Sequence, residues 1–261
     1  METIENLGEF KHRFAKWSGN ESSYPFVVNK HAPFTPLRRS LPLANLALIT
    51  SAGAYIDGTT PFDLDSREGN ISFREIPIEI EAEDLKYSAA GYDPASIEKD
   101  RNCQIPIDRL LEYEANSVIG KVNSVWWSVA PNIANATLVA EELAPVLAER
   151  VRNSGAQVAL LIPASRLCHQ TLGLIAREIE QQNISTMMIS VDRKLTDKVR
   201  PPRTAYYQGK IGEVAGEPLW QNYQRRILDE ALRWIETFDE PGSKKLVVEL
   251  ETETEVARGE R

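Results

Sequence analysis

The chain has 261 residues, a net charge of -8 and 42% hydrophobic residues, which indicates one large globular domain or two small ones. The acidic balance argues against a general nucleic-acid binder, whose surface must neutralise phosphates with clustered Lys and Arg. Its apolar runs are far shorter than the ~18 residues of a membrane span. The first residues lack the apolar segment of a signal peptide, and two cysteines make no disulfide framework. We therefore expect a soluble cytoplasmic protein.

Local motifs for metals and nucleotides are missing from the sequence. The histidines, His12, His31 and His169, have no ligand-like spacing, and no CxxC, HExxH or EF-hand pattern occurs. GxGxxG and the P-loop patterns GxxxxGKS and GxxxxGKT are also absent. We expect no metal site and no cofactor bound directly to this chain.

The first part of the chain predicts little regular structure. Residues 1–42 form an irregular N-terminal arm, with a short helix at Glu5–Trp17 and a stretch interrupted by prolines after it. The apolar run Leu43–Thr50 is typical of a strand covered on both faces. Residues 54–106 have no helical period and many turn formers, so we interpret them as a long insertion carrying short strands.

From residue 107 onward, helical and strand patterns alternate. The predicted helices are Ile107–Asn116, Thr137–Asn153 (ended by Gly155), Cys168–Gln182 and Leu219–Phe238, and the predicted strands are Ser124–Ala130, Gln157–Ile162 and Thr186–Val191. This alternation indicates an α/β fold with a doubly wound, mostly parallel, flavodoxin-like sheet. We assign residues 43–240 to a single domain. Residues 241–261 are predicted to be a mobile C-terminal tail, with an edge strand as the alternative from Leu246 onward.

One predicted strand-to-helix junction contains a reactive side chain. Pro163 ends the strand, residues 163–167 form the loop, and Cys168 falls in the first turn of the helix. Ligands of open α/β sheets bind at such junctions, and a thiolate there gains up to about 2 kcal/mol from the helix dipole. Cys168 is therefore a candidate nucleophile or redox group, with His169 beside it in sequence.

Purely structural roles for the same residues remain open. A buried cysteine at a helix start usually behaves as a small inert hydrophobe, and His169 is equally compatible with a satisfied core histidine. Cys103 lies in a predicted loop without a strand-helix context, which makes it a weaker candidate for a functional thiol.

Several motifs in chain order resemble the selenoprotein B family of glycine, sarcosine, betaine and D-proline reductases. The most specific is the loop and helix from Pro163 to Gln170, continued by Gly173–Glu178. The others, between about residues 33 and 238, are Pro33–Arg38, Pro61–Asp63, Gly69–Pro77, Asp100–Asn102, Pro106, Arg109–Leu110, Ile119–Gly120, Pro201–Arg203 and Gly216–Pro218.

The resemblance implies reductive cleavage of a carbon–nitrogen bond. It implies a selenocysteine or cysteine that attacks carbon next to an amine, held as an imine by a pyruvoyl group on a partner subunit. The selenocysteine position falls on Ser165, whose hydroxyl is not redox-active. The family's histidine shortly before the pair matching Tyr92–Asp93 is also absent, since this chain has Ser88–Gly91 there.

Three explanations of Ser165 follow. The serine is natural and the chemistry is lost or moved to Cys168 and His169, or it is an engineered replacement, or the chain is a non-catalytic paralogue. In our first hypothesis Cys168 acts as thiolate, His169 tunes or protonates, and Ser165 lines the pocket for a small amine or amino-acid-like substrate. The alternative is a ligand-binding or scaffold subunit of a reductase-like complex.

Four further residues are candidates for substrate binding. Arg74, Arg109 and Arg203 could clamp a carboxylate, because a planar guanidinium binds it through two hydrogen bonds, although a structural salt bridge is the more common role of each. Gln170 belongs to the Cys-His-Gln loop and is the fourth candidate. We expect a homo-oligomer or a partner reductase subunit, and neither nucleic acid nor a membrane as a partner.

Overall fold

The computed structural model describes residues 1–259 and shows a mostly parallel sheet flanked by helices. The strands are β1 (Asn45–Thr50), β2 (Ala54–Ile56), β3 (Phe73–Pro77), β4 (Leu85–Tyr87), β5 (Lys121–Val122), β6 (Val125–Val129), β7 (Val158–Ile162), β8 (Ser185–Ser190), β9 (Arg203–Tyr206) and β10 (Gly242–Lys245). The helices are α1 (Leu7–Ala15), α2 (Ala95–Lys99), α3 (Ile107–Ala115), α4 (Ala136–Leu138), α5 (Ala144–Asn153), α6 (Arg166–Gln181), α7 (Arg193–Val199), α8 (Gln221–Thr237) and α9 (Val248–Arg258). A short π-helix, Val139–Leu143, joins α4 and α5 into one continuous helical segment.

The main sheet confirms the predicted fold class. Its strand order is β10-β9-β8-β7-β1-β6-β3, with β5 paired to β1, and all pairings except that of β3 with β6 are parallel. The order β6-β1-β7-β8-β9 is the 2-1-3-4-5 order of flavodoxin-like sheets. Strand β7 consists entirely of buried residues, because helices cover both of its faces.

The predicted insertion, residues 54–106, divides between two sheets. Strands β2 and β4 form a separate antiparallel pair, whereas β3 adds an antiparallel edge strand to the main sheet beside β6. The insertion also contains α2, which the sequence pattern did not predict because this helix is only five residues long.

The second half of the chain contains elements that the sequence analysis missed. The sequence pattern does not predict helix α7 or strand β9, because the helix has only seven residues, the strand has only four, and prolines separate them. Strand β10 pairs with β9 at the edge of the sheet, but it ends before Leu246, from which an edge strand is the predicted alternative. The segment after Leu246 contains helix α9, which the sequence pattern did not predict. The last two residues of the predicted tail, 260–261, lie outside the described residues.

Two apolar cores lie on the two faces of the sheet. Leu110 of α3 and Leu228 of α8 belong to one core, and Leu147 of α5 and Ile175 of α6 belong to the other. Within the described residues no helix is long and apolar enough to cross a bilayer.

The N-terminal arm is irregular apart from α1 and one short turn, and it is tied to α6 by buried polar groups. The guanidinium of Arg177 donates to the carbonyl oxygens of Glu2, Thr3, His31 and Arg200 at 2.6–3.1 Å. Helix α6 is therefore covered by the sheet on one side and by the arm on the other, which explains why nearly all of its residues are buried.

Candidate functional site

The strand order places the predicted loop at the point where ligands bind in this class of sheet. Strands β1 and β7 are adjacent and parallel. The chain goes from β1 to β6 on one side of this pair and from β7 to β8 on the other side. A crevice forms at the carboxyl ends of such a pair. Here those ends are Ser51 after β1 and Pro163–Ser165 after β7. We call the residues at this edge, Ser51, Ser165, Cys168 and His169 with the loop residue Gly91, the switch-point site.

Backbone and hydroxyl groups hold the two strand ends together. Ser51 donates its backbone N–H to the carbonyl of Ile162 at 3.4 Å, and the Ser51 hydroxyl accepts a hydrogen bond from the N–H of Ala164 at 3.2 Å. These bonds satisfy groups that the ladder would otherwise leave unpaired. They also fix the position from which helix α6 starts.

Ser165 is the N-cap of α6. Its backbone is extended, with φ -133°, and its hydroxyl oxygen accepts the backbone N–H of Cys168 at 3.2 Å. The helix thus begins at Arg166, two residues before the predicted start, because a serine N-cap satisfies one of the free N–H groups of the first turn. The side chain of Ser165 therefore lies where a helix N-terminus favours negative charge.

Cys168 lies in the first turn of α6, as the sequence predicted. Its Sγ donates to the backbone carbonyl of Ser51 across a distance of 3.6 Å, and the residue has no exposed surface. The thiol thus faces the end of β1, away from bulk water. Whether it acts as a nucleophile stays a prediction.

A loop from the insertion closes the site from outside. An added Cβ at Gly91, where φ is +76°, would lie 2.9 Å from Ser165 Cβ and 3.0 Å from Asn132 Oδ1. Both the backbone conformation and the space therefore require glycine here. The neighbouring Tyr92 donates its hydroxyl to the carbonyl of Ala52 at 2.6 Å, and burial raises its pKa. Ser165 is consequently 1% exposed.

His169 uses both ring nitrogens in hydrogen bonds with the backbone. Its Nε2 accepts the N–H of Val191 at 3.3 Å, so the proton resides on Nδ1, which donates to the carbonyl of Ser165 at 2.7 Å. Burial lowers the pKa of the ring to about 4. This is the geometry of a satisfied core histidine, which places the neutral ring between the ends of β7 and β8; proton transfer by His169 stays a prediction.

Gln170 holds the N-terminal arm against α6. Its side-chain oxygen accepts the N–H of Val27 at 2.9 Å, and its amide donates to the hydroxyl of Tyr24 at 2.8 Å. The structure therefore places this predicted substrate-binding residue next to the switch-point loop but directed into the arm.

Arg203 lies at the opposite, amino-terminal edge of the sheet. It is fully buried, pairs with Glu180, donates to the carbonyl of Thr35 at 2.6 Å, and stacks over the ring of Phe34. Because β9 begins with this residue, the sheet separates it from the switch-point site. The structure does not bring it together with Cys168.

The other two predicted arginines differ in their surroundings. Arg109 is buried on α3 and pairs with Glu112 at 2.8 Å. Arg74 is half-buried, lies 4.4 Å above the ring of Phe62, and forms no ion pair with any described side chain. It stands opposite Ser128 near the carboxyl end of β6, so it lies at the edge of the sheet that carries the site.

Contacts connect Arg74 to the loop over Ser165. The N–H of Phe62 donates to the hydroxyl of Ser88 at 3.0 Å, and the N–H of Ser88 donates to the carbonyl of Gly53 at 2.9 Å. Three residues further along, the same loop reaches Gly91.

Sequence reasoning missed Ser51, Gly91 and Asn132 as parts of the site. Small polar residues after a buried strand were the available signal for Ser51, but its partner strand is more than 100 residues away in the chain. Only the strand order shows that these residues meet.

The second thiol is also enclosed. Cys103 Sγ donates to the carbonyl of Gly212 at 3.6 Å, and burial raises the pKa of this thiol. In the part of the chain that the structure describes, no group of three or more His, Cys, Asp and Glu side chains is placed to hold a metal ion.

Comparison with known proteins identifies a family. The family described as glycine/sarcosine/betaine reductase selenoprotein B matches residues 16–164, more than half of the chain, and the matched segment ends immediately before Ser165. No solved structure matches the chain.

The similar curated proteins are subunits of reductase complexes. The chain is 27% identical over 229 residues to D-proline reductase subunit gamma of Acetoanaerobium sticklandii, covering 88% of this chain and 93% of that protein. It is 26% identical over 175 residues to glycine reductase complex component B subunit gamma of Symbiobacterium thermophilum, covering 64% of this chain and 39% of the relative. It is 24% identical over 180 residues to sarcosine reductase complex component B subunit beta of Peptoclostridium acidaminophilum, covering 65% and 39%. The chain thus spans nearly all of the first relative and about two fifths of the other two.

Proposed function

Because the chain belongs to the glycine/sarcosine/betaine reductase selenoprotein B family, we propose that it is a subunit of a reductase complex for a small amine or amino-acid-like substrate. Within that complex, the switch-point site binds the substrate or a segment of a partner subunit without itself transferring electrons. The carbonyl that holds the amine, a pyruvoyl group according to the family resemblance, is then supplied by a partner subunit.

The chemistry at Ser165 carries this proposal. The residue at the reactive position of the family is an alcohol, which forms no selenide or disulfide, and it is used as a helix cap. Both thiols of the chain are buried and directed at backbone carbonyls. A binding role needs none of these atoms to react, although both roles need the loop at Gly91 to move, because it covers Ser165.

Arg74 is the proposed anchor for an anionic group of the substrate. The Arg74 guanidinium stacks on an aromatic ring and has no carboxylate partner among the described side chains. Its Nη1 donates to the carbonyl of Phe73 at 3.2 Å and to the hydroxyl of Ser72 at 3.4 Å, which leaves its other N–H groups for a ligand. Arg109 and Arg203 have less hydrogen-bonding capacity available for a ligand, because each is buried and paired with a glutamate.

Thiol chemistry at Cys168 is the second candidate, favoured by the position of this residue in the first turn of α6. In that mechanism the Cys168 sulfur displaces the amine, breaking the C–N bond and forming a C–S bond. A thiol of a partner protein then attacks the Cys168 sulfur, so that the carbon leaves with a proton as the reduced product and a disulfide remains. His169 and Ser165 are the proposed positioning residues.

Ligand binding and turnover together distinguish the two candidates. Calorimetry with proline, glycine, sarcosine and betaine would compare wild-type protein with Arg74→Gln and Cys168→Ala, and with Arg150→Gln as the matched exposed control. We expect Arg74→Gln to weaken binding at least tenfold and Cys168→Ala to leave it unchanged.

Turnover is measured in the complex assembled with its partner subunits. Product formation that survives Cys168→Ala supports the binding subunit, whereas product formation abolished by Cys168→Ala, with assembly intact, establishes the thiol mechanism instead. Absence of both ligand binding and complex assembly in the wild-type chain would refute the proposed function.

A further inference from the structure

A separate cavity lies at the opposite, amino-terminal edge of the sheet. It has a volume of about 630 Å³ and is lined by Lys30 and His31 of the arm, by Arg200 after α7, and by the start of β10. A volume of roughly 300–1,000 Å³ is typical of small-molecule sites. The cavity shares no lining residue with the switch-point site.

The side chains around this cavity leave it positively charged in a chain whose net charge is -8. Neither Lys30 nor Arg200 forms an ion pair with a described side chain. The one acidic residue of the lining, Asp197, pairs with Arg193 at 3.3 Å, and Glu5, behind the rim, faces His31 at 3.3 Å.

A buried cation lies directly behind the cavity. Arg177 is fully buried and donates to the carbonyl oxygens of His31 and Arg200, two residues of the lining, at 2.6 and 2.9 Å. It also donates to the backbone carbonyls of Glu2 and Thr3, and no described carboxylate lies within ion-pair distance of it, although Glu5 offsets part of its charge from farther away. Burial lowers its pKa to about 10, so it remains charged at neutral pH. A charge surrounded by protein is screened far less than one in water, so its field favours an anion in the cavity.

The backbone conformation of Arg200 brings its guanidinium next to Lys30 at the rim of the cavity. Arg200 has φ +53°, in the left-handed region that a residue with a side chain adopts at an energetic cost. In this conformation its guanidinium Nη1 donates to the carbonyl of Lys30 at 2.5 Å, which joins two segments of the lining. The hydroxyl of Ser243, at the start of β10, lines the same cavity and donates to the carboxylate of Asp197 at 3.5 Å.

We propose that this cavity binds a small polyanion that carries phosphate or carboxylate groups. Lys30 and Arg200 contact the anion, Arg177 supplies charge from behind without contact, and the ligand joins the arm, the end of α7 and β10. Phosphates and carboxylates share the recognition chemistry of paired cations, so the two sources of such an anion are separated by experiment.

Calorimetry at low ionic strength with pyrophosphate and with citrate tests the proposal, with chloride at matched ionic strength as the reference. We expect saturable binding of at least one of the two. Lys30→Gln and Arg200→Gln should each weaken it at least about tenfold, as expected for a lost charge-assisted hydrogen bond. Binding of pyrophosphate alone identifies a phosphorylated ligand, and binding of citrate alone a polycarboxylate.

Two control variants test the direction of the charge effect on anion binding. Asp197→Asn removes the carboxylate of the lining and should tighten binding several-fold, whereas Arg150→Gln, an exposed cation elsewhere, should change it less than twofold. The proposal is overturned if neither anion saturates, or if Arg200→Gln binds as the wild-type protein does while its circular dichroism spectrum is unchanged.

Discussion

The two ends of helix α6 are equally buried but are built from different chemistry. At the N-terminal end Ser165, Cys168 and His169 are neutral groups bonded to the ends of β1, β7 and β8. Toward the C-terminal end Arg177 and Glu180 are ionisable groups that hold the arm and β9. Buried polar residues therefore mark two different roles in one helix, and only the position along the strands separates a candidate site from a structural anchor.

Replacing Arg177, at the C-terminal end of α6, should cause the largest loss in the free energy of unfolding. Arg177→Met leaves three carbonyl oxygens of the arm and the carbonyl of Arg200 without this donor, and each unsatisfied buried group costs about 1–3 kcal/mol. Although relief of the buried charge and water entering beneath the arm recover part of this, we expect a loss of about 3 kcal/mol or more in urea unfolding.

The matched variant Arg152→Met removes a half-exposed arginine and should change stability by less than about 0.5 kcal/mol. If Arg177→Met were no more destabilising than Arg152→Met, the C-terminal end of α6 would not be a structural anchor.

At the N-terminal end, stability should depend on pH through His169. Its folded pKa of about 4 lies below the 6.5 of a free histidine, so between these values the unfolded chain binds more protons and stability falls as pH is lowered. The difference between the two pKa values corresponds to a loss of at most about 3 kcal/mol in the free energy of unfolding, at 1.36 kcal/mol per pKa unit.

Urea midpoints measured between pH 7.5 and 4.5 check this dependence. His169→Asn keeps a donor near the carbonyl of Ser165 and should remove most of the slope, whereas His12→Asn, on the exposed face of α1, should retain it. Equal slopes in all three proteins would show that His169 is not held in its neutral form.

Glycine substitutions test how tightly the insertion covers the site. Gly91→Ala combines a positive φ with contacts of 2.9–3.2 Å to Ser165 and Asn132, whereas Gly58→Ala has φ +81° and nothing within 4 Å. The strain common to both costs about 1 kcal/mol, and crowding should add about 1–2 kcal/mol at Gly91 alone.

Chemical unfolding of the two alanine variants gives this difference directly. Alkylation of Cys168 by iodoacetamide, followed by site-resolved mass spectrometry, should also be faster in Gly91→Ala than in Gly58→Ala. Equal stability and equal labelling would mean that the loop does not close the site.

How much the sequence could predict depends on the range of the interactions involved. Helix α8 and strand β7 were predictable because their apolar patterns are long and regular. Helix α7 and strand β9 were not, since seven and four residues contain too little periodic signal. The position of Cys168 in a first helical turn followed from the preceding strand and proline, which are local features.

The roles of the arginines could not be predicted in the same way. Arg74 and Arg203 both occur in strands, and nothing local distinguishes them. Glu180, which lies 23 residues before Arg203, is what makes that residue structural. A sequence motif such as Pro201–Arg203 also does not show at which edge of the sheet its arginine lies.

Removal of the Ser165 hydroxyl should have the smallest effect and is the most direct test of the N-terminal end. Ser165→Ala deletes the N-cap bond to the N–H of Cys168, which costs about 1 kcal/mol. Thermal unfolding should therefore show a modest decrease. If the hydroxyl is a cap and nothing more, Asp at this position should restore stability through the same hydrogen bond and a favourable helix dipole. If Ser165→Asp is instead less stable than Ser165→Ala, then a negative charge cannot be accommodated beneath the loop at Gly91, and the closed site would exclude anionic groups from this position.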